Sequence, residues 1–170
     1  MAMDALRRWT FEHAEGTSWR SRVLNGLLQW RIPFNRPHGL KVETLSDTKV
    51  VVRIPYRRRN RNHLRGLHAC VLAAGAEFAS GVLLLRRVES GATRLIMKSL
   101  QVTYHYRGQE EAVATAHINP AEVRALIAGL ETAESVLVPM VAEVHDRSGN
   151  HLATAHVEWQ LKPWKRVSAP

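Results

Sequence analysis

Between Asn62 and Glu77 the chain reads Asn-His-Leu-Arg-Gly-Leu-His-Ala-Cys-Val-Leu-Ala-Ala-Gly-Ala-Glu. A polar, Arg-rich loop passes through Gly66 and His68 into the longest apolar run of the sequence. From Ala69 to Leu85 only Glu77 and Ser80 carry side chains able to make strong hydrogen bonds. A carboxylate enclosed in such a helix is costly unless it is paired or protonated. Buried acids of this kind mark reactive sites more often than scaffolds. Glu77 is therefore the candidate reactive centre, the alternative being a carboxylate held by a helix end or an Arg with no chemistry.

The neighbouring polar residues each admit two readings. His68 stands at the helix start, either as a site residue or packed under the loop, and Asn62 is a site residue or a turn former. A thiol nucleophile at Cys70 is set aside, because a buried free thiol is the common case. His105, His117, His145, His151 and His156 fall on strands or a turn without metal-ligand spacing, so no metal is expected. Arg57, Arg58, Arg59, Arg61 and Arg65 precede the site, either as a phosphate clamp or as a solvated loop. Nucleic acid ranks third as their target, because Tyr56 is the only aromatic residue beside them.

These residues need a scaffold, and periodicity supplies one. Trp19, Val23, Leu27 and Trp30, flanked by Leu24 and Leu28, form one stripe of an amphipathic helix, with Ser18 as N-cap and Pro33 as stop. Residues 1–17 show no clear period and read as an irregular arm or short helix. The segment from Ile32 to Gly39 reads as loop. Strands are expected over Leu40–Leu45 and Lys49–Ile54, then the basic loop, then a long helix from about Leu67 to Arg87. Ser90-Gly91 breaks the chain. In Arg94–Tyr106, the residues Ile96, Leu100, Val102, Tyr104 and Tyr106 share one parity, with Lys98 the exception, which predicts a strand with one buried face.

Glu111–Ile118 returns as a strand. Asn119-Pro120 then caps a short helix through Val123, Leu126, Ile127 and Leu130. Ser135–His145 and His151–Leu161 form a final hairpin around Gly149, and the tail after Pro163 is expected to be loose. Ala114-Thr-Ala-His-Ile118 and Ala153-Thr-Ala-His-Val157 repeat a small-residue pattern suited to lie beneath a helix. Short connections imply an antiparallel sheet. A helix apolar nearly all round must be enclosed, and a curved sheet wrapping it does so.

The 170 residues fit one domain, able to bury about 70% of its unfolded surface. The expected division is an N-terminal arm and helix over 1–38, a main domain over 39–162 and a tail over 163–170. The single Cys70 excludes a disulfide framework and fits a reducing, cytoplasmic setting. Asp4, Arg7, Arg8, Glu12 and Glu15 interrupt any signal-peptide core, and Glu77 argues against a membrane span at Ala69–Leu85. The net charge of +9 implies attraction to polyanions without choosing among them.

From Gly39 to Leu161 the chain resembles the hotdog fold and, within it, acyl-CoA thioesterase-like proteins of the phenylacetate-pathway type. Asn62, Gly66, His68, Ala69-Cys70 and Glu77 carry the resemblance, supported by Lys98–Tyr104 and Val144–Leu152. The resemblance implies an α+β hotdog domain of about six antiparallel strands around one central helix, with an extra N-terminal helix. It implies thioester hydrolysis with Glu77 as base or nucleophile and the backbone N–H near Ala69 as oxyanion donor. Asn62 would orient water or substrate, and His68 would hydrogen-bond near the carbonyl. Gly66, Arg59, Arg61 and Arg65 would bind ligand, with coenzyme A present only as part of the substrate and no separate cofactor.

Glu77 lies nine residues after His68, about 13 Å along a helix and half a turn around it. One chain cannot readily bring both to a single carbonyl carbon. Two antiparallel helices can, so a homodimer with interface sites is expected, pairing into tetramers being left open. Related sequences often carry Gly-Gly where this chain has Ala69-Cys70, and the added Cβ atoms narrow approach to the backbone. That departure keeps a second reading open, a non-catalytic acyl- or acyl-CoA-binding module.

Overall fold

The computed structural model describes residues 18–88 and 92–166. The expected arm over 1–17, the break at Ser90-Gly91 and residues 167–170 lie outside them. In chain order the elements are α1 (Ser18–Arg31), α2 (Asn35–His38), β1 (Lys41–Leu45), β2 (Lys49–Ile54) and α3 (Ala69–Arg87). There follow β3 (Thr93–Tyr104), β4 (Ala112–His117), α4 (Pro120–Thr132), β5 (Val136–Asp146) and β6 (His151–Pro163). Single 3-10 turns at Arg58–Asn60 and Trp164–Arg166 complete the set. Among the described residues the strands form one six-stranded antiparallel sheet in the order β1-β2-β4-β5-β6-β3. The sheet wraps α3, which gives the α+β hotdog architecture. Although α3 is long and apolar enough by composition to cross a bilayer, most of it is buried inside the domain.

Small residues let α3 settle deep into the sheet. Ala112, Ala114 and Ala116 of β4, Ala142 of β5, and Ala153 and Ala155 of β6 are all fully or almost fully buried. The repeated Ala-Thr-Ala-His segments thus supply the small-residue floor. Two glycines notch the helix from the other side. A Cβ at Gly75 would lie 2.8 Å from Ile54 Cγ1 and nearer still to Cδ1, and one at Gly81 would lie 3.1 Å from the Trp159 ring. Trp159 Nε1–H donates to Ser80 Oγ at 3.0 Å, and the Ser80 hydroxyl donates to the Glu77 carbonyl at 2.9 Å. Ser80 is thereby consumed in fixing helix to sheet. At the far end of α3, Arg86 and Arg87 pair with Asp47 in the β1–β2 turn.

Three expectations change in detail. The buried side of α1 is centred on Leu24 and Leu28, whereas Trp19 and Trp30 stand 49% and 64% exposed, so the two tryptophans lie outside the packed stripe. Asn25, between the two leucines, donates to Val42 O (2.9 Å) and accepts from Val42 N (2.8 Å). Its carboxamide thus imitates a neighbouring strand and closes the edge of β1 beside the irregularity between Val42 and Thr44. The segment 32–39 is not all loop, since α2 forms there and ends on Gly39 in the left-handed region (φ +65°).

The third change concerns β3. Its register with β6 slips between Met97 and Ser99, leaving Lys98 as the extra residue of a bulge. Before the bulge Leu95 and Met97 oppose the core residues Leu161 and Trp159; after it Leu100, Val102 and Tyr104 oppose Val157, Ala155 and Ala153. Ile96 opposes Gln160 and lies on the other face. The single parity therefore breaks at Lys98, the residue that failed to fit it. Nor is the inner face of β3 fully covered within the chain, since Met97 and Tyr104 are exposed and Leu100 and Val102 half-buried.

The cap expected at Asn119 is present and is completed by Glu122 as a capping box. Asn119 Oδ1 accepts from Glu122 N, and Glu122 Oε2 accepts from Asn119 N, both at 2.9 Å. Gly149 takes φ +89° in the β5–β6 hairpin, where Asp146 Oδ1 accepts from Asn150 N.

Candidate active site

The loop before α3 is built around two asparagines. Asn60, fully buried, donates from Nδ2 to His38 O and Pro55 O, both at 2.8 Å, and its Oδ1 lies 3.1 Å from His38 Nδ1. Its own carbonyl accepts His68 N–H at 2.8 Å. Asn60 thus ties α2, the end of β2 and the start of α3 to one point. Asn62 Oδ1 accepts from Leu64 N and Gly66 N, both at 3.0 Å, an Asx-type closure of the turn. Gly66 is buried beneath the Arg107 stem, whose Cγ would lie 2.8 Å from an added Cβ. Arg65 takes φ +61°, uncommon for a residue with a side chain, and its carbonyl accepts the Tyr56 hydroxyl. Arg61 lies over the Tyr56 ring at 5.3 Å.

At the helix start His68 is the N-cap, with Nδ1 accepting the Cys70 N–H at 3.1 Å. That bond requires Nδ1 to be unprotonated, so a neutral His68 carries its proton on Nε2 and can donate from there. Val71 N–H and Leu72 N–H bond to the His68 carbonyl. Ala69 N–H is the one donor of this first turn with no partner among the described residues, and Ala69 is exposed. An unpaired N–H at the positive end of a 19-residue helix suits a developing oxyanion. Tyr104, at the end of β3, donates its hydroxyl to Ala69 O at 3.1 Å and so pins the first residue of α3 to the sheet. Burial raises the pKa of that hydroxyl, with the Cys70 side chain adding to the effect. Cys70 is exposed rather than buried.

Glu77 follows Ala69 by eight residues, about 12 Å along the helix. Ala69, Ala73 and Glu77 form an i, i+4, i+8 row, and none of the three is fully buried. The Glu77 carboxylate is half-buried and has no hydrogen bond or ion pair with another described residue. Burial alone raises its pKa from 4.5 to about 7. The row faces away from the covered side of α3, and the inner face of β3 likewise lacks full cover. Arg58, Arg61, Asn62, His63 and Arg65 line a separate open concavity of about 540 Å³, to which α3 contributes nothing. Arg59 is exposed next to it.

His105, His145 and His151 gather near the end of β3, with ring centroids 4.4 and 4.6 Å apart in sequence along the group. Thr154 Oγ1 lies 3.0 Å from Nε2 of both His105 and His151. No group of His, Cys, Asp and Glu able to hold a metal occurs among the described residues.

The family described as Domain of unknown function (DUF4442) matches residues 20–161. The chain belongs to the DUF4442 family. No curated protein sequence matches it. Among solved structures, a Pseudomonas aeruginosa protein of unknown function, described as a probable thioesterase, is similar over 84% of this chain and 95% of its own at TM-score 0.77 and 22% identity. A Haemophilus influenzae thioesterase matches 84% of this chain and 90% of its own at TM-score 0.68 and 12% identity. A Staphylococcus aureus thioesterase, solved as a mutant, matches 77% and 99% at TM-score 0.64 and 11% identity. At such identities the likeness establishes the fold.

In this DUF4442 domain the expected residues therefore separate into three places. His68 and Ala69 form the helix start, Asn62 and Gly66 shape the turn, and Arg61 and Arg65 line the concavity. Glu77 stands apart from all of them within one chain. Sequence reasoning missed Asn60, Tyr104 and Arg107. Tyr104 had a signal, as the polar-tipped end of an otherwise apolar strand row. Asn60 had none, because an Asn within an arginine run looks like surface.

Proposed function

We propose that this DUF4442 protein hydrolyses acyl-CoA-type thioesters as a cytoplasmic homodimer. The observation that carries the reading is Glu77, a half-buried carboxylate with a pKa of about 7, on the same helix as the Ala69 N–H, neither having a partner among the described residues. A base with such a pKa is half ionised at neutral pH, where general-base catalysis is most effective. Glu77 takes a proton from water as the water oxygen bonds to the thioester carbonyl carbon. The oxyanion so formed rests on Ala69 N–H, assisted by Nε2–H of His68. The C–S bond then breaks, and the proton held by Glu77 passes to the departing thiolate, giving a carboxylic acid and a thiol. Arg59, Arg61 and Arg65 receive the phosphates of the coenzyme A portion, with Asn62 and Gly66 holding the turn that presents them. The thioesterases among the structural neighbours support this substrate class.

The dimer follows from distance and from uncovered surface. Ala69 and Glu77 are too far apart in one chain to serve one carbonyl carbon. A second chain paired along the exposed edge of β3 would cover Met97, Leu100, Val102 and Tyr104 and bring its own α3 alongside. Glu77 of each chain would then meet Ala69 of the other.

Chain mixing tests both claims at once. Ala69→Pro deletes the N–H at the first helical position, where proline is tolerated, and His68 already has the extended backbone (φ −69°, ψ 138°) that a following proline needs. Homodimers of Ala69→Pro and of Glu77→Gln should each lose thiol release from an acyl-CoA panel. Mixed and re-equilibrated, half of the dimers carry one intact site, restoring about a quarter of wild-type activity. No recovery would refute the shared site. No release above background by wild type with any acyl-CoA would refute hydrolysis itself, and ligand-induced thermal stabilisation without turnover would indicate a binding module.

A further inference from the structure

The outer side of α1 and the segment after it take no part in the proposed site. Trp30 and Phe34, at 64% and 62% exposure, are the most exposed large apolar side chains among the described residues. Trp30 lies in the last turn of α1, and Phe34 follows four residues later in the turn that leads into α2. The opposite side of α1 is fastened to the domain through Leu24, Leu28 and the Asn25–Val42 bonds. The aromatic pair is therefore displayed on a fixed support.

Its surroundings are wholly cationic in sequence. Neither residues 18–42 nor residues 48–76 include a single Asp or Glu. Arg22, Arg31 and Arg36 are exposed on the first stretch, and Arg57, Arg58, Arg59, Arg61 and Arg65 on the second. The two stretches are locked together. Arg57 Nη2 donates to Pro37 O at 2.5 Å, and the buried Asn60 donates to His38 O at 2.8 Å. Between the two stretches, Glu43 pairs with Arg147 and Asp47 with Arg86 and Arg87.

We propose that this face docks on an anionic lipid bilayer, with Trp30 and Phe34 inserted among the headgroups and Arg22, Arg31 and Arg36 set against lipid phosphates. Aromatic rings with an apolar body suit the boundary between headgroups and acyl chains, and clustered arginines supply the attraction to anionic lipid. Duplex DNA, with its bases stacked inside the helix, would engage the arginines alone, so dependence on the aromatic pair separates the bilayer from it. The same basic loop leads directly into the helix start at Ala69. On the thioesterase reading, docking would hold that helix start near membrane-partitioned acyl thioesters, but docking itself does not depend on that reading.

Co-sedimentation with vesicles tests the proposal without using hydrolysis. The full chain should bind equimolar phosphatidylcholine–phosphatidylglycerol vesicles and not phosphatidylcholine alone, with binding falling as salt rises. Trp30→Ser/Phe34→Ser should weaken anionic-vesicle binding about tenfold or more. Arg31→Glu/Arg36→Glu should do so by about fivefold or more per arginine. Both variants should keep the wild-type thermal midpoint, since neither touches the core. Equal binding to both vesicle types would overturn the proposal. So would vesicle binding indifferent to Trp30 and Phe34, or tighter binding to duplex DNA that those two substitutions leave unchanged.

Discussion

Glu77→Gln should make the protein more stable while removing its proposed activity, and the gain should depend on pH in a defined window. The folded chain raises the Glu77 pKa from 4.5 to about 7 through burial. A carboxyl group with a raised folded pKa favours the native state fully below its unfolded pKa. That advantage is lost as pH rises through the folded value. At 1.36 kcal/mol per pH unit the interval is worth about 3 kcal/mol, or about 2 kcal/mol allowing for the water that a half-buried carboxylate still meets. Gln matches the protonated acid in size and never ionises. The variant should therefore equal wild type below about pH 4.5, draw ahead between there and pH 7, and hold a constant lead above. For a domain of this size the lead corresponds to about 4–8 °C in thermal midpoint.

Another perturbed carboxylate does not confuse that window. Glu111 is held below its ordinary pKa first by its hydrogen bond to Arg53 and then by Arg147. Its contribution is present above the unfolded value and lost only as pH falls below it, so it lies at the acid end of the same experiment. Thermal unfolding followed by circular dichroism from pH 4 to 8.5, at one fixed protein concentration, separates the two. Parallel stability curves for wild type and Glu77→Gln across pH 4.5–7 would show that Glu77 is not destabilised in the fold. The argument that it is kept for chemistry would then fail.

Other consequences follow from the packing. Gly75→Ala should cost about 1–2 kcal/mol, overpacking against Ile54 outweighing the gain in helix propensity, whereas in an Ile54→Ala background, which removes both Cγ1 and Cδ1, the same change should be neutral or stabilising by up to about 1 kcal/mol. A denaturant double-mutant cycle reads that coupling directly, and additive effects would contradict the close approach of α3 to β2. Asn60→Ala should lose about 2–3 kcal/mol by leaving the His38 and Pro55 carbonyls without their donor. Asn62→Ala should cost less, because its acceptor serves a loop open to water, and equal losses by urea titration would remove Asn60 from its place as anchor.

The elements were legible wherever local chemistry and burial agree. The Val-rich run of β2, the capping box at Asn119 and the glycine in the β5–β6 hairpin specify their own structure within a few residues. The apolar length of α3 and the alanine repeats announced a helix enclosed by a sheet. What local sequence hid were interactions made across distance. Asn25 seals an edge strand 17 residues away, and Asn60 joins α2, β2 and α3. Lys98 looked like a lapse in a strand pattern and is a bulge that reverses the faces of β3. The exposed Trp30 counted as part of an apolar stripe because periodicity registers side-chain type and not the partner it meets. Of the candidate site, the helix start and Glu77 were visible as residue types, while the unpaired Ala69 N–H emerges only once the neighbouring donors have been accounted for.

The way α3 is seated explains why Glu77 has no partner among the described residues. Gly75 lies about 200° around the helix from Glu77, and its missing Cβ lets that side sink against Ile54. Further along, Ser80 and Gly81 receive Trp159 and hold the next turn. Both notches draw the helix towards its own sheet, so the row Ala69, Ala73 and Glu77 stays at the margin of what β3 and β6 can cover. Met97 and Tyr104, directed inward by the bulge at Lys98, have no complete cover either. A larger residue at 75 would lift the helix, whereas an apolar residue at 77 would complete the monomer's core at the expense of the carboxylate. The sequence keeps small residues where the helix meets its own sheet and a carboxylate where it does not, and this is the distribution expected of a surface finished by a second copy of the chain.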